Sequence, residues 1–380
     1  MKKTNITIKD LAAHLGVTHS TISRALSPVP GRMRMSIETR DRILQAAKDM
    51  GYRPNGIARN LVQRRTRSIG VIVRHFNDPF YSNMIQELHV RFSRWNYLGV
   101  FFSARSMEEF QHAADSLLNH RVDGIISVAL TPEERMRIRH IAVPILYYGI
   151  GSDEDDWVGP DHHYGATCAV SHLLEEGHRK IGFIGRTDAQ NLRYQGFAQA
   201  LQREGLSCHG DWIRSPGGDQ AVLSVSGIMR SGYEQMLRLL ALKDRPTAVV
   251  CHNDAIAIGA ERAVLSCGLR VPDDMALVGF DGRLEGEYAA VPLTSVDPHM
   301  DRIVDILADK LFERVENRQK PTEPVQIRVV PSLIVRESTT MRRKLSSSGD
   351  FEAAMTGSLA REKHLLHEVV GNTQEVENAR

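Results

Sequence analysis

The stretch "TIKDLAAHLGVTHSTISRAL", residues 7–26, packs two short helical patterns around one glycine. Thr7 and Asp10 have the spacing of a capping box, with Asp standing where Glu is usual. Ile8, Leu11, Ala12 and Leu15 then fall on one face at helical spacing. Gly16 can take the left-handed conformation that ends a helix and turns the chain. Thr18 suits the N-cap of a second helix, on which Ile22, Ala25 and Leu26 point inward. Two helices joined by a short glycine-containing turn make a helix-turn-helix, whose second helix enters the major groove by its N-terminal part. His19, Ser20 and Arg24 face outward on that helix, and with Thr18 and Thr21 they are the candidates for contact with DNA. Without a nucleic-acid partner the same pattern is an ordinary helical hairpin with a wet polar face.

Charge separates the two readings. Residues 1–65 hold thirteen Lys and Arg against four acids, Asp10, Glu38, Asp41 and Asp49, a surplus of +9. The whole chain is only +2, so the other 315 residues carry −7. A basic head on an acidic body is the footprint of a polyanion binder.

A third helix is expected after Ser36, with Glu38 in its first turn, Ile43, Ala46, Ala47 and Met50 inward, and Gly51 at its end. In "YRPNGIARNLVQRRTRSIGVIV" Pro54 cannot continue a helix and Asn55 can cap a new one. Ile57, Ala58 and Leu61 share a face of that short helix, which has too few residues to be stable alone and orders only against a partner.

From Ile69 onward short apolar runs alternate with helical patterns: "IGVIV", "GVFFS", "DGIISV", "PILYYG", "KIGFIG", "TAVVCH" and "MALVGFD". Amphipathic stretches lie between them at 81–95, 108–119, 165–176, 194–203, 254–266 and 299–315. This alternation predicts parallel sheets covered by helices on both faces, and so long a segment predicts two lobes.

"TIKDLAAHLGVTHSTISRAL", "GYRPNGIARNL" and "SIGVIV" together resemble the lactose/purine/galactose repressor family of bacterial transcription regulators, over residues 6 to about 337. The resemblance implies an α/β chain in four parts. They are a helix-turn-helix DNA-binding domain (1–52), a hinge helix or linker (53–66), an effector-binding and dimerisation domain of two Rossmann-like lobes resembling periplasmic binding proteins (67–338), and a polar tail (339–380). It implies that the hinge folds when two subunits meet on DNA and that Leu61, with Asn55 and Ala58 on the same segment, wedges into the minor groove. The loop "SPVPGRMRM" (27–35) is a residue or two longer than usual, and its Arg32 and Arg34 either add phosphate contacts or are simply solvated.

For the sensor, the family arrangement implies chain crossings between lobes near 160, 295 and 325, with the ligand outside the carboxyl ends of the strands. The residues carried over as effector contacts are Phe80 and Tyr81 of "NDPFY", Asp161, Arg193, Asn253 and Asp281. Asp161 also suits a role in chain geometry, and Asp254 suits the N-cap of the next helix better than a ligand contact. Arg193 and Asp281 are expected on opposite sides of the cleft, donating to and accepting from a hydroxyl-rich ligand. Where relatives place a large aromatic, this chain has Gly227 and Ile228, which leaves a sugar, a purine or an organic acid open as the effector class.

Other chemistry is weakly represented. Cys168, Cys208, Cys251 and Cys267 have no CxxC pairing, "DHH" at 161–163 lacks zinc spacing, and neither a phosphate loop nor a GxSxG occurs. No signal peptide or membrane span is evident, so a reduced, cytoplasmic, nucleoid-associated bacterial protein is expected. No cofactor, no metal and no catalytic residue is expected. The rival reading is a sugar-binding or carbohydrate-processing enzyme with a fused DNA module, against which no nucleophile–base pair stands out. In the tail Met355, Leu359, Leu366 and Val369 recur at roughly heptad spacing, but Glu362 interrupts the seam. About two heptads are too few for a coiled coil, so a disordered tail and a homodimer on double-stranded operator DNA are expected ahead of a tetramer.

Overall fold

The computed structural model describes residues 6–26, 35–52, 65–76, 79–128, 130, 132–138, 141–188, 190–215, 225–317 and 323–340. Asn55, Ala58, Leu61, Arg32, Arg34 and the tail beyond 340 lie outside the described residues.

The N-terminal head is three helices, Ile8–Leu15, His19–Ala25 and Ile37–Asp49. Both halves of the capping box form: Thr7 N donates to Asp10 Oδ2 at 2.8 Å, and Asp10 N donates to Thr7 Oγ1 at 3.3 Å. Gly16 turns the chain at φ 65, and Thr18 accepts from Thr21 N at 3.2 Å as the second cap. Leu11, Ala12, Ile22, Ala25, Ile43 and Ala47 close the small core.

The rest of the described chain builds two six-stranded sheets from β1 (Ser68–Val73), β2 (Leu98–Ser103), β3 (Gly124–Val128), β4 (Ile145–Tyr148), β5 (Trp157–Pro160), β6 (Ile181–Ile184), β7 (Ile213–Arg214), β8 (Ala248–Cys251), β9 (Ala276–Phe280), β10 (Thr294–Asp297), β11 (Gln326–Val329) and β12 (Ser332–Ile334). The first sheet has the order β11-β5-β4-β3-β1-β2 and is parallel throughout. The second has the order β12-β10-β9-β8-β6-β7, parallel except for β12 against β10. Strand periodicity sorts β1 between two cores. Ile69, Val71 and Val73 meet the helices Pro79–Arg94 and Met300–Glu316, while Ile72 meets the helix Met107–Asn119. In the second lobe, helices His162–Glu175 and Leu192–Arg203 cover one face, and Val225–Leu240 and Asp254–Ser266 cover the other.

The chain passes between lobes at Asp161, at Pro298–His299 and at Val330–Pro331. The third passage lies beyond the expected 325, because β11 first completes the edge of the first sheet against β5. Asp161 N donates to Val329 O at 2.9 Å, so the first and third passages are joined to each other.

Residues 65–67 are fastened to the first lobe before β1 begins. Asp123 accepts from Thr66 N at 3.2 Å and from Arg67 N at 2.7 Å, and Arg65 pairs with Glu316 at 2.5 Å.

Two internal features set the second lobe. At Gly196 the helix Leu192–Arg203 runs so close to His162–Glu175 that a Cβ would collide with the His163 carbonyl oxygen. Asp254, wholly buried, accepts from Ser295 Oγ at 2.5 Å and from Arg283 N at 2.7 Å, tying the end of β9 to β10. The helix cap is not Asp254, as the sequence suggested, but Asn253, whose Oδ1 accepts from Ile256 N at 2.8 Å. The helix begins one residue earlier than that reading required, which frees the Asp254 carboxylate to point into the lobe.

Gly196→Ala is expected to lower stability by about 1–3 kcal/mol in denaturant unfolding, because backbone rather than a flexible side chain must move. Burial, and then the charge of Asp281, push the Asp254 carboxyl up from 3.8 to about 7. Between those values the folded state holds one proton more than the unfolded state, so this group lowers stability as pH rises through the window and no further above it. Asp254→Asn is expected to gain stability relative to the unsubstituted protein between about pH 5 and about pH 8, measured as the difference in unfolding free energy at the two pH values.

Candidate functional site

A cavity of about 440 Å³ lies between the lobes at the carboxyl ends of the strands. The first lobe contributes Phe80 and Tyr81 after β1, and Tyr148 at the end of β4. The three form an aromatic wall. Phe80 meets Tyr81 edge-on at 5.4 Å between centroids and Tyr148 at 5.8 Å. Burial pushes the Tyr148 phenol up, so it remains a hydroxyl.

The second lobe contributes the charged wall. Arg193, in the first turn of the helix after β6, donates from Nη2 to Asp281 Oδ1 at 3.1 Å. Its Nη1 donates to the His252 carbonyl, its Nε donates to His162 Nδ1 at 3.3 Å, and its guanidinium lies 3.9 Å over the Phe280 ring. Arg193 and Asp281 do not face each other across the cleft as expected. They sit side by side on one lobe, because β6, β8 and β9 are neighbours in a single sheet and present their ends to the same edge. Both side chains are nearly buried, at 11% and 9% exposure, so each neutralises a charge that would otherwise be costly. Asp281 takes φ 115, followed by Gly282 at φ 63. This sharp turn is held by Asp281 N donating to Val296 O at 2.8 Å and Gly282 N donating to Ser295 Oγ at 3.1 Å.

Two histidines flank the arginine. Burial, and then the Arg193 cation, push His162 and His252 well below the ordinary imidazole range. They are neutral at physiological pH. Because His162 Nδ1 accepts from Arg193, its N–H is at Nε2. Sequence reading missed both histidines, as well as Arg135 and Tyr148, all of which line the cavity. Their common signal is position within or just beyond a strand end, or on the helix that follows one; His162 was weighed only as a metal ligand.

Of the expected effector residues, Phe80, Tyr81, Arg193, Asn253 and Asp281 line the cavity, with Asn253 also serving as helix cap. Asp161 does not line it. Its carboxylate caps His162–Glu175 by accepting from Tyr164 N at 2.9 Å and stands 3.6 Å from Arg328 at the lobe crossing. Ile228 lines the cavity where a large aromatic was absent from the sequence. In the head, His19, Ser20 and Arg24 are exposed on the second helix. Thr18 is occupied as the cap, and Thr21 is half-buried with its hydroxyl 2.9 Å from that of Thr18. Among the described residues no group of three or more His, Cys, Asp or Glu could hold a metal, and no helix is long and apolar enough to cross a membrane.

Residues 7–55 match bacterial regulatory proteins of the lacI family, and residues 170–339 match the periplasmic binding protein-like domain. The HTH-type transcriptional repressor PurR of Mannheimia succiniciproducens is 30% identical over 341 residues, covering 87% of this chain and 98% of that protein. A dimer of the Lac repressor, solved bound to operator and the anti-inducer ONPF, superposes with a TM-score of 0.78 at 25% identity, over 89% of this chain and all of that one. A complex of the transcriptional regulator CelR with cellobiose superposes with a TM-score of 0.62 at 26% identity, over 88% of this chain and all of that one. A helix-turn-helix head before two parallel-sheet lobes with a polar cleft between them, together with these matches, places the chain in the lacI family: it is a DNA-binding transcriptional repressor with a periplasmic-binding-protein-like ligand domain.

Proposed function

We propose that the chain acts as a homodimer on a pseudo-palindromic operator, with its affinity set by a sugar or related small metabolite held between Arg193–Asp281 and the aromatic wall of Phe80 and Tyr81. The carrying observation is the nearly buried Arg193–Asp281 pair lining an inter-lobe cavity. A hydroxyl-bearing ligand satisfies both partners, the guanidinium donating and the carboxylate accepting. Aromatic faces suit the C–H side of such a ligand. The named relatives support the same logic, one having been solved with operator and anti-inducer and another with cellobiose.

The mechanism is a population shift. Ligand bound between the lobes favours one closure and so changes the separation of the two hinge segments in the dimer. Residues 65–67 are tied to the first lobe through Asp123 and Glu316, so they move with it. The ligand shifts operator affinity only by its preference between the two states, typically ~1–3 kcal/mol. In the hinge, Asn55, Ala58 and Leu61 are assigned to the minor groove. In the head, His19, Ser20 and Arg24, with Thr18 and Thr21 beside them, are assigned to the major groove. The protein works in the bacterial cytoplasm without cofactor and without turnover. A bound sugar recovered chemically altered by purified protein would replace this reading with an enzymatic one.

Operator titrations at fixed salt, with and without a ligand found by thermal-shift screening of the full chain, test the cleft. Arg193→Ala and Asp281→Asn are each expected to weaken ligand binding roughly ten- to a hundred-fold, since hydrogen bonds to charged groups contribute about 1.5–3 kcal/mol. The double variant is expected to lose little beyond either single one, because the two side chains act as a unit. A wild-type ligand response in either single variant would remove that residue from the site. For the DNA face, Arg24→Ala and His19→Ala are each expected to cost about 1–3 kcal/mol on the cognate operator and to relax its specificity in footprinting. Leu61→Ala is expected to reduce DNA bending in a circular-permutation assay while leaving salt-sensitive non-specific binding intact.

A further inference from the structure

Four guanidinium groups line the cavity, and they differ in how their hydrogen bonds are met. Its walls carry the guanidinium groups of Arg135, Arg186, Arg193 and Arg283 against the carboxylates of Asp188 and Asp281. Three of these cations have a carboxylate within hydrogen-bond reach: Arg193 has Asp281 at 3.1 Å, Arg186 has Asp188 at 3.1 Å, and Arg283 has Glu285 at 2.5 Å. Arg135 is different. It stands on the helix Pro132–Ile138 of the first lobe, 4% exposed, and its Nε and Nη1 are buried with no hydrogen-bond partner among the described residues. The buried Asp155 carboxylate supplies an opposite charge at 3.9 Å but no hydrogen bond, and the guanidinium lies over the Tyr147 ring at 4.6 Å. Trp157 Nε1 is also buried without a partner, and its ring and Arg135 Nη1 crowd the same Gly151. Two donor groups therefore meet no acceptor in one small region of the lobe.

A buried cation whose donors are unmet is among the most costly groups a protein can hold. Burial pushes the Arg135 guanidinium below its ordinary value, but arginine does not lose its proton at physiological pH. The charge therefore persists at the cavity wall and calls for an acceptor. The planar guanidinium fork matches a carboxylate or a phosphate in two-point geometry. A sugar hydroxyl or a purine ring nitrogen offers no charge to it.

We propose that Arg135 receives an anionic group of the ligand, so that the cleft takes a hydroxyl-bearing metabolite with a carboxylate or phosphate rather than a neutral sugar or a free base. This rests on the reading of the cleft as the effector site. Arg135 belongs to the first lobe and Arg193–Asp281 to the second. A ligand with its acid at one end and its hydroxyls at the other bridges the two lobes, and its charge favours the closure that brings Arg135 to it.

The test uses full-length protein, calorimetric binding and thermal unfolding, with paired probes at millimolar concentration: galactose and galacturonate, glucose and its phosphate monoester, and the free bases adenine and guanine. One charged member is expected to bind at least about ten-fold tighter than its neutral counterpart, and the pair that shows this tells carboxylate from phosphate. Arg135→Gln is expected to erase that preference and Arg135→Lys to keep part of it. The assignment is overturned if in both pairs the neutral probe binds as tightly as its anion, if Arg135→Gln keeps the preference, or if no anion of the set binds. Arg135-dependent anion binding that leaves operator affinity unchanged would overturn the regulatory reading and keep the anion site. An operator response to a ligand indifferent to Arg135 would do the reverse.

Discussion

The buried carboxylate of Asp254 is the constraint on which the second lobe's working surface depends. It sits at the first turn of the helix after β8 and reaches sideways to Ser295 on β10 and to the backbone of Arg283 beyond β9. Gly279 on β9 has no Cβ because one would fall on Asp254 Oδ1. The knot fixes the turn in which Asp281 takes its unusual φ, and Asp281 in turn holds Arg193. A carboxylate that touches no solvent thus sets the aim of the two charges that do line the cavity. The cost is visible in its titration, since burial and the neighbouring Asp281 carry it to about 7.

The division of labour between the lobes follows. The second lobe offers a hydrogen-bonded receptor in which Arg193 meets Asp281, the His252 carbonyl and His162, and the His252 ring meets Asn191 at 3.4 Å. The first lobe offers aromatic faces and an arginine whose hydrogen bonds are incomplete. One half of the cavity is preorganised and the other is left to be completed, which suits a site whose occupancy must be coupled to movement.

Much of this was legible from residue spacing. The capping box at Thr7 and Asp10, the glycine turn at Gly16 and the buried face of the head are local features, and local physics decides them. The strands that sequence reading named are continuous apolar runs, as parallel strands covered on both faces must be. Short edge strands such as β7 and β11 escaped because half-exposed residues leave no such run. Arg193 and Asp281 were carried over from the family resemblance and supported by their places after strand ends, but their contact with each other was not foreseen, because it depends on which strands become neighbours in the sheet. Asp254 read as a cap because an Asn and an Asp stand together before the helix, and only tertiary packing decides which of them turns inward. Arg135 lies in a helix of seven residues with no periodic signal, and its significance comes from partners it lacks, which no spacing reveals.

The three passages between the lobes have a mechanical consequence. A single connecting strand would let one lobe swivel about any axis, and thermal motion would scatter the small free energy of a ligand over many directions. Here three separate segments cross, at Asp161, at Pro298–His299 and at Val330–Pro331, and the first is hydrogen-bonded to the strand that leads into the third. Such a triple ligature opposes swivelling and favours opening and closing about the line of the crossings. A motion confined in this way can be read at a distance, because residues 65–67 are fastened to the first lobe and are carried with it. The connections thus act as a transmission with one gear.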